Sequence, residues 1–245
     1  LFRQSLVQPN ANTVAQARWA QRETGIELSD SVLSTNLAFE ARAWRDYYGR
    51  KWKSSLQESL EWLEDEPFSS RPATLASFLA GSIFEDYNRS SDIADQGLVA
   101  NPDDPGLLNN LAFGLANAGR VEEADHYLGR LRALDVKGPG EVPVLATSGL
   151  IQFRKGDSAS GRRLYLSAIG TAEKHKRYDL RARASVFLAL EEIRAMSQDA
   201  ARARVRALEW ATACVDDDPS LELLLKRLKQ AKPPVLPRDR PDSRR

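Results

Sequence analysis

The chain has little of what most active sites and metal centres are built from. Its 245 residues include one cysteine and two histidines. A lone Cys214 can form no internal disulfide, which suits a reducing compartment, and we expect the cytoplasm. One thiol and two distant imidazoles cannot furnish a Cys/His metal cluster. Cys214 has no histidine near it in sequence. Its helical context, 210–215, reads as a buried small residue and not as a nucleophile. No run of about 18 or more apolar residues occurs, so no segment reads as a membrane-spanning helix. The chain opens at Leu1 without a basic-then-apolar leader. Alternating apolar and polar stretches of strand length are missing. So is the glycine spacing of a phosphate-cradling loop.

Neither sign of charge dominates. Lys and Arg number 35 against 34 Asp and Glu, a net of +1. The distribution is uneven. Residues 58–125 hold 14 acidic and 3 basic side chains, whereas 154–206 hold 13 basic and 6 acidic. Residues 226–245 hold 8 basic and 2 acidic. The acidic middle argues against nucleic acid lying along the whole chain. The basic part leaves two readings open, solvated helix faces or a local anionic partner such as nucleic acid.

The titratable residues that remain form no catalytic set. His126 follows Glu123 by three positions and Glu122 by four, a spacing that reads as a solvated helix-surface pair. His175 sits in a basic turn with Lys174, Lys176 and Arg177. Asp216, Asp217 and Asp218 precede Pro219. That run lacks the spacing and glycine of a calcium loop and reads as a helix start, with carboxylates at the positive end and proline in the first turn. We therefore expect no enzyme activity, no metal and no cofactor.

What the chain does have is helical periodicity. Residues 107–135 read as a helix, a turn at Gly119-Arg120 and a second helix. Leu108, Leu111, Ala112 and Leu115 mark the first helix, and Ala124 and Leu128 the second. Small residues let two antiparallel helices approach, and large ones fill the space toward the next pair. Leu75, Phe78, Leu79 and Ser82 stand 33 residues before the first four of these positions. Leu145, Ser148, Gly149 and Gln152 stand 37 residues after them. Gly161, Tyr165 and Ala168 continue that later pair beyond a turn at Gly156-Asp157. Gly149 and Gly161 each cost helix propensity of about 1 kcal/mol against alanine, so close helix contact is expected at both.

The remaining segments follow the same rhythm. Helices are predicted over 9–24, 31–48 and 52–63. Beyond Pro72 the next first helix runs to a turn near Asn88, with its second helix at 92–100. A Gly- and Pro-rich connection spans 137–143. Helices follow at 179–196 and 199–215. A closing helix at 221–232 turns Leu221, Leu224, Leu225 and Leu228 to one side. Residues 233–245, rich in Pro and Arg, are expected to be disordered.

These offsets resemble the tetratricopeptide repeat family, a 34-residue helix–turn–helix. The likeness spans about 31–215 and is strongest at 108–134 and 145–168. The pattern's Trp is absent at Leu75, Leu108 and Leu145. Its Pro is present as Pro67 and Pro102 but is Val136 in the founding repeat. The resemblance implies an all-α solenoid, a right-handed superhelix of antiparallel pairs. Residues 1–30 would be an N-terminal helix, 31–216 about five pairs, 217–232 a capping helix and 233–245 a tail. It also implies a protein–protein scaffold that takes a peptide or helical segment in a concave groove lined by first helices. Carried onto this sequence, the lining is Trp44, Tyr48, Asn109, Phe113, Asn117, Leu150, Phe153, Arg154, Arg183 and Phe187. Asn109 and Asn117 would hydrogen-bond a peptide backbone, and the aromatics would anchor apolar side chains. A second reading has Phe113, Phe153 and Phe187 packing between repeats and lining nothing. The carboxylate clamp of some chaperone-binding members is not matched. Asn110 holds its Asn place, yet Ala76, Ala80, Pro143 and Thr147 are not basic. Two further readings stay open: a regulatory part of a larger enzyme or signalling protein, and self-association by end stacking through Trp19 and Trp210.

Overall fold

The structure, a computed structural model, describes residues 11–29 and 38–231. The expected start of a helix at 31, with Leu33 and Leu37, and the tail 233–245 lie outside the described residues. Among the described residues the chain is all-α and has no strand. Packing divides it into two compact units, Leu1–Leu107 and Leu108–Arg245.

The first unit holds α1 (Ala11–Thr24), α2 (Phe39–Tyr48), α3 (Trp52–Asp65), α4 (Ser70–Phe78) and α5 (Tyr87–Ala100). A π-helical turn, Leu79–Ile83, ends α4. Each helix from α2 to α5 packs on its neighbour in sequence. Two serines tie these pairs from within. Ser55 Oγ donates to the Ala43 carbonyl at 2.8 Å, and Ser90 Oγ donates to the Ser77 carbonyl at 2.8 Å. Gly97 allows the closest approach. A Cβ there would meet Ala73 Cβ at 2.6 Å and Leu107 at 2.9 Å.

The second helix of this pair starts earlier than the sequence predicts. The turn falls at Glu85-Asp86, not at Asn88, and α5 begins at Tyr87, not at Asp92. The physical reason is local. Asp86 accepts the Arg89 amide and caps the helix, and the polar Ser90 and Ser91 are buried. Serines that bond a neighbouring carbonyl hide the apolar period by which the start would be recognised.

The division between the units falls within α6 (Pro105–Asn117). Asp104 accepts the Leu107 amide at 2.9 Å and Pro105 opens the helix, a position where its missing N–H costs nothing. The second unit continues with α7 (Val121–Ala133), a short 3-10 turn Gly138–Gly140, α8 (Glu141–Arg154), α9 (Ser158–Lys174), α10 (Tyr178–Arg194), α11 (Ala200–Thr212) and α12 (Ser220–Gln230). Pro143 lies in the first turn of α8 and not in the connection, where a proline is tolerated. Helices pack on their sequence neighbours from α7 to α12. In addition α8 touches α10, one first helix against the next. Gly119 and Gly156 take left-handed φ values of 84° and 86°, so the chain reverses immediately after α6 and α8.

The tightest contact in the unit lies between α8 and α9. A Cβ on Gly149 would stand 2.6 Å from the Tyr165 ring and 2.9 Å from the Gly161 carbonyl oxygen. A Cβ on Gly161 would stand 2.5 Å from the Phe153 ring and 2.9 Å from the Gly149 oxygen. The two backbones therefore touch, and the two rings flank the crossing with centroids 6.2 Å apart.

Acid should loosen the first unit. Asp46 is buried at the end of α2, where it accepts from Arg45 Nε at 2.9 Å and from the Ser54 hydroxyl. The Arg45 hydrogen bond first, then that of Ser54, hold its carboxyl below the usual range. A carboxylate depressed in the folded chain stabilises it above the unfolded pKa of about 3.9 and loses that effect as pH falls through the folded value. The urea midpoint of this unit is expected to drop between pH 7 and pH 3. Asp46→Asn should reduce that drop, and an equal drop in the variant would show that other carboxylates govern it.

Candidate functional site

The residues singled out on the first helices fall into two groups, one in each unit. In the first unit Trp44 and Tyr48 lie on α2, one turn apart, 37% and 58% exposed. Between them Tyr47 is buried and packs edge-on against Trp44, Tyr48 and Trp52 at 5.3–5.6 Å. The outer rings are thus held in place by an inner one. That arrangement presents rigid apolar surface at small entropic cost.

In the second unit, positions 37 residues apart meet across α6, α8 and α10. Arg154 on α8 donates to Asn117 Oδ1 on α6 at 2.8 Å. It also donates to both oxygens of Glu191 on α10, at 3.1 Å to Oε1. Arg194 completes the row by donating to Glu191 Oε1 at 2.7 Å. Asn117 in turn donates to the Phe113 carbonyl at 3.0 Å. This row of Asn117, Arg154 and Glu191 recurs in step with the sequence period. Its neighbours are apolar. Phe113 and Phe187 meet edge-on at 5.6 Å, from two helices that are not adjacent in sequence, and Leu150 at the intermediate position is buried.

The fates of the singled-out residues therefore differ. Leu150 and Phe153 are 2% and 8% exposed, and Phe153 lies over Gly161 beside Tyr165. These two are packing residues in this unit. Phe113 and Phe187 are half-buried against each other. Arg183 does not join the row. It binds Asp218 and donates to Ser220 Oγ at 3.2 Å, which ties α10 to the start of α12. Asp218 also accepts from the Ser220 amide and hydroxyl, so of the acidic run before Pro219 it is Asp218 that holds the first residue of α12 and pairs with Arg183. Asn109 keeps the most freedom. Its Oδ1 accepts from Thr147 at 2.9 Å, and its amide N–H groups have no partner among the described residues.

Sequence reasoning missed Thr147, Glu191 and Arg194, and it placed Asp218 at a helix start without its Arg183 partner. For Glu191 the signal was present, since it follows Arg154 by the same 37 residues that separate Arg154 from Asn117. A cation and an anion at equivalent places of successive repeats should be read as a pair.

Electrostatically about half of the basic region's cations are answered from within. Arg154 and Arg194 bind Glu191. Arg162 binds Glu192 at 2.6 Å, Arg177 binds Asp179 at 2.6 Å, Arg181 lies 3.3 Å from Glu173 and Lys155 lies 2.7 Å from Asp125. Burial, reinforced by the Glu191 charge, pushes the Tyr165 phenol well above its normal range. Burial, reinforced by the Asp217 charge, also raises the Cys214 thiol. His126 lies against Tyr127 at 5.4 Å, while Glu123 is engaged by Arg120 at 2.7 Å. Trp19 is 58% exposed on α1, whereas Trp210 is covered by the Arg181 and Arg206 guanidiniums at 4.3 and 5.6 Å. Among the described residues no group of three or more His, Cys, Asp or Glu is placed to hold a metal ion, and no helix is long and apolar enough to cross a membrane. The row contains no nucleophile beside a base.

Comparison of the chain with known protein families, with curated proteins and with solved structures finds no match.

Proposed function

We propose that the chain is a cytoplasmic protein–protein interaction module without catalysis of its own. In this reading its helix pairs form a tetratricopeptide-like solenoid, closed by α12, which holds a peptide or helical segment of another protein along its first helices. The observation that carries the reading is the row Asn117–Arg154–Glu191. Side chains from three successive first helices line up at the sequence period, which supports repeats stacked in register and gives one face a regular polar track. Beside it, the unengaged amide of Asn109 suits a peptide carbonyl, and the Phe113–Phe187 edge suits an apolar side chain. In the first unit the exposed Trp44 and Tyr48 would serve as a separate aromatic anchor. Internal ion pairs engage Arg154, Lys155, Arg162, Arg177, Arg181, Arg183 and Arg194, about half of the cations of 154–206, and the acidic 58–125 stretch opposes phosphates, so nucleic acid is not proposed as the partner.

Selection of peptides from a displayed random library on the folded chain tests this. Enriched peptides should lose about tenfold in affinity with Asn109→Ala or with the Trp44→Ala/Tyr48→Ala pair, as judged by fluorescence anisotropy. Asn109→Ala leaves the buried Thr147 hydroxyl unpaired, so affinities are compared at a temperature where each variant's melting curve shows it folded. A selection that enriches nothing, or peptides indifferent to both sets, would remove the reading.

A further inference from the structure

A cavity of about 270 Å³ lies in the second unit among α9, α10 and α11. Ile169, Leu188 and Ala203 supply apolar lining, with Leu166 44% exposed among them. Its polar groups divide into a spent set and an open set. Arg162 is spent. It donates to both oxygens of the buried Glu192 at 2.6 and 2.8 Å and to Ser197 Oγ at 2.9 Å, and it lies 3.3 Å from Asp199. The Ser185 hydroxyl is spent on the Arg181 carbonyl at 2.7 Å. Arg202 and Arg206 are open. They line the cavity one turn apart on α11, both exposed, and neither has a carboxylate partner among the described residues. Arg206 is held over the Trp210 ring, 5.6 Å from its centroid.

Two unspent guanidiniums beside an apolar hollow select an anion with an apolar body. The neighbouring acids narrow the class. Glu192 is already neutralised, but the Asp199 side chain is 54% exposed and repels added negative charge. A singly charged carboxylate suits this balance better than a phosphate dianion, and guanidinium forks match carboxylate geometry. The hollow is smaller than a typical drug-sized pocket of about 300–1,000 Å³, which favours a short or branched apolar group.

We propose that this cavity is a binding site for a carboxylate joined to a small apolar group. Arg202 and Arg206 hold the carboxylate, and Leu166, Ile169 and Leu188 receive the apolar body. A free aliphatic acid and the C-terminus of a peptide ending in an apolar residue share this chemistry. The site does not rest on the peptide-binding reading above, because none of its lining residues belongs to the Asn117–Arg154–Glu191 row or to the Phe113–Phe187 pair.

The Trp210 indole N–H resonance, assigned with Trp210→Phe, reports on Arg206 directly. Four probes are titrated into the whole chain: 4-methylpentanoate, its amide, a short peptide ending in leucine with a free carboxylate, and the same peptide amidated. Saturable movement of the peak with either carboxylate is expected, with at least about tenfold weaker binding of the matching amide and of the Arg202→Ala/Arg206→Ala chain. Response to the free acid identifies a small-molecule site, and response to the peptide alone identifies a chain-end site. The proposal is overturned if neither carboxylate moves the peak up to about 10 mM, or if the amide binds as well as its acid. The amide comparison uses the unaltered chain, so it stands even where the double variant fails to fold.

Discussion

Gly161→Val should cost the second unit about 4 kcal/mol or more, enough to remove its cooperative unfolding transition in a domain of ordinary stability. The first added carbon already has nowhere to go. It would stand 2.5 Å from the Phe153 ring and 2.9 Å from the Gly149 carbonyl oxygen, and the second of these is backbone. Phe153 cannot swing aside freely, because Tyr165 packs beside it and is itself 2% exposed. The helices α8 and α9 would have to separate, and their contact is the most extensive in the unit. Gly161→Ala isolates the same effect in smaller form. Alanine gains about 1 kcal/mol of helix propensity, and overpacking costs about 1–3 kcal/mol, so a net loss is expected. The internal control lies on the same helix. Gly170 is exposed and a Cβ there would meet nothing within 4 Å, so Gly170→Ala should stabilise the chain by up to about 1 kcal/mol. Opposite signs for two Gly→Ala changes on one helix, read from urea midpoints, would establish the crossing. A stabilising Gly161→Ala would show that the helices do not meet there.

That crossing was legible before the structure because the reasoning used a local quantity. Two helical glycines at matching offsets are a cost that needs a compensation, and close approach is the common one. The helix start at Asp218 was legible for the same reason, since a carboxylate before proline acts within one turn. What failed to show was set by geometry between helices. Nothing local distinguishes Phe153, which turns into the α8–α9 contact, from Phe113 and Phe187, which meet each other. The three differ in how far each first helix is rotated against the next, and spacing alone does not fix that angle. Arg183 falls on a first helix, and the resemblance alone therefore places it in the groove. Its partner, Asp218, lies 35 residues on, beyond the repeat, where periodicity gives no guidance. The start of α5 was hidden by buried serines, of which Ser90 bonds the Ser77 carbonyl of another helix and Ser91 the Tyr87 carbonyl of its own.

Glu191→Gln should destabilise the second unit by about 3–5 kcal/mol, the cost of leaving a buried guanidinium without its anion. The Glu191 side chain is 6% exposed and that of Arg154 15%, so water compensates neither well. Glutamine keeps the shape and one acceptor but removes the charge that answers Arg154 and, in part, the more exposed Arg194. Arg154 would retain the Asn117 oxygen and at most the single glutamine carbonyl, with no anion beside it. The size of the loss measures what breaking the row costs, not what the row contributes, and a second variant separates the two. Arg154→Met together with Glu191→Leu removes both charges and fills the space with apolar groups. Buried ion pairs replaced in this way are often neutral or stabilising, so the double variant should sit within about 1 kcal/mol of the unaltered chain and above the single one. If that order holds, the row is kept for something other than stability, and fixing the register of three successive first helices is the use the geometry offers. If Glu191→Gln costs less than about 1 kcal/mol, the pair is solvent-screened and its alignment across three helices carries no argument for a binding face.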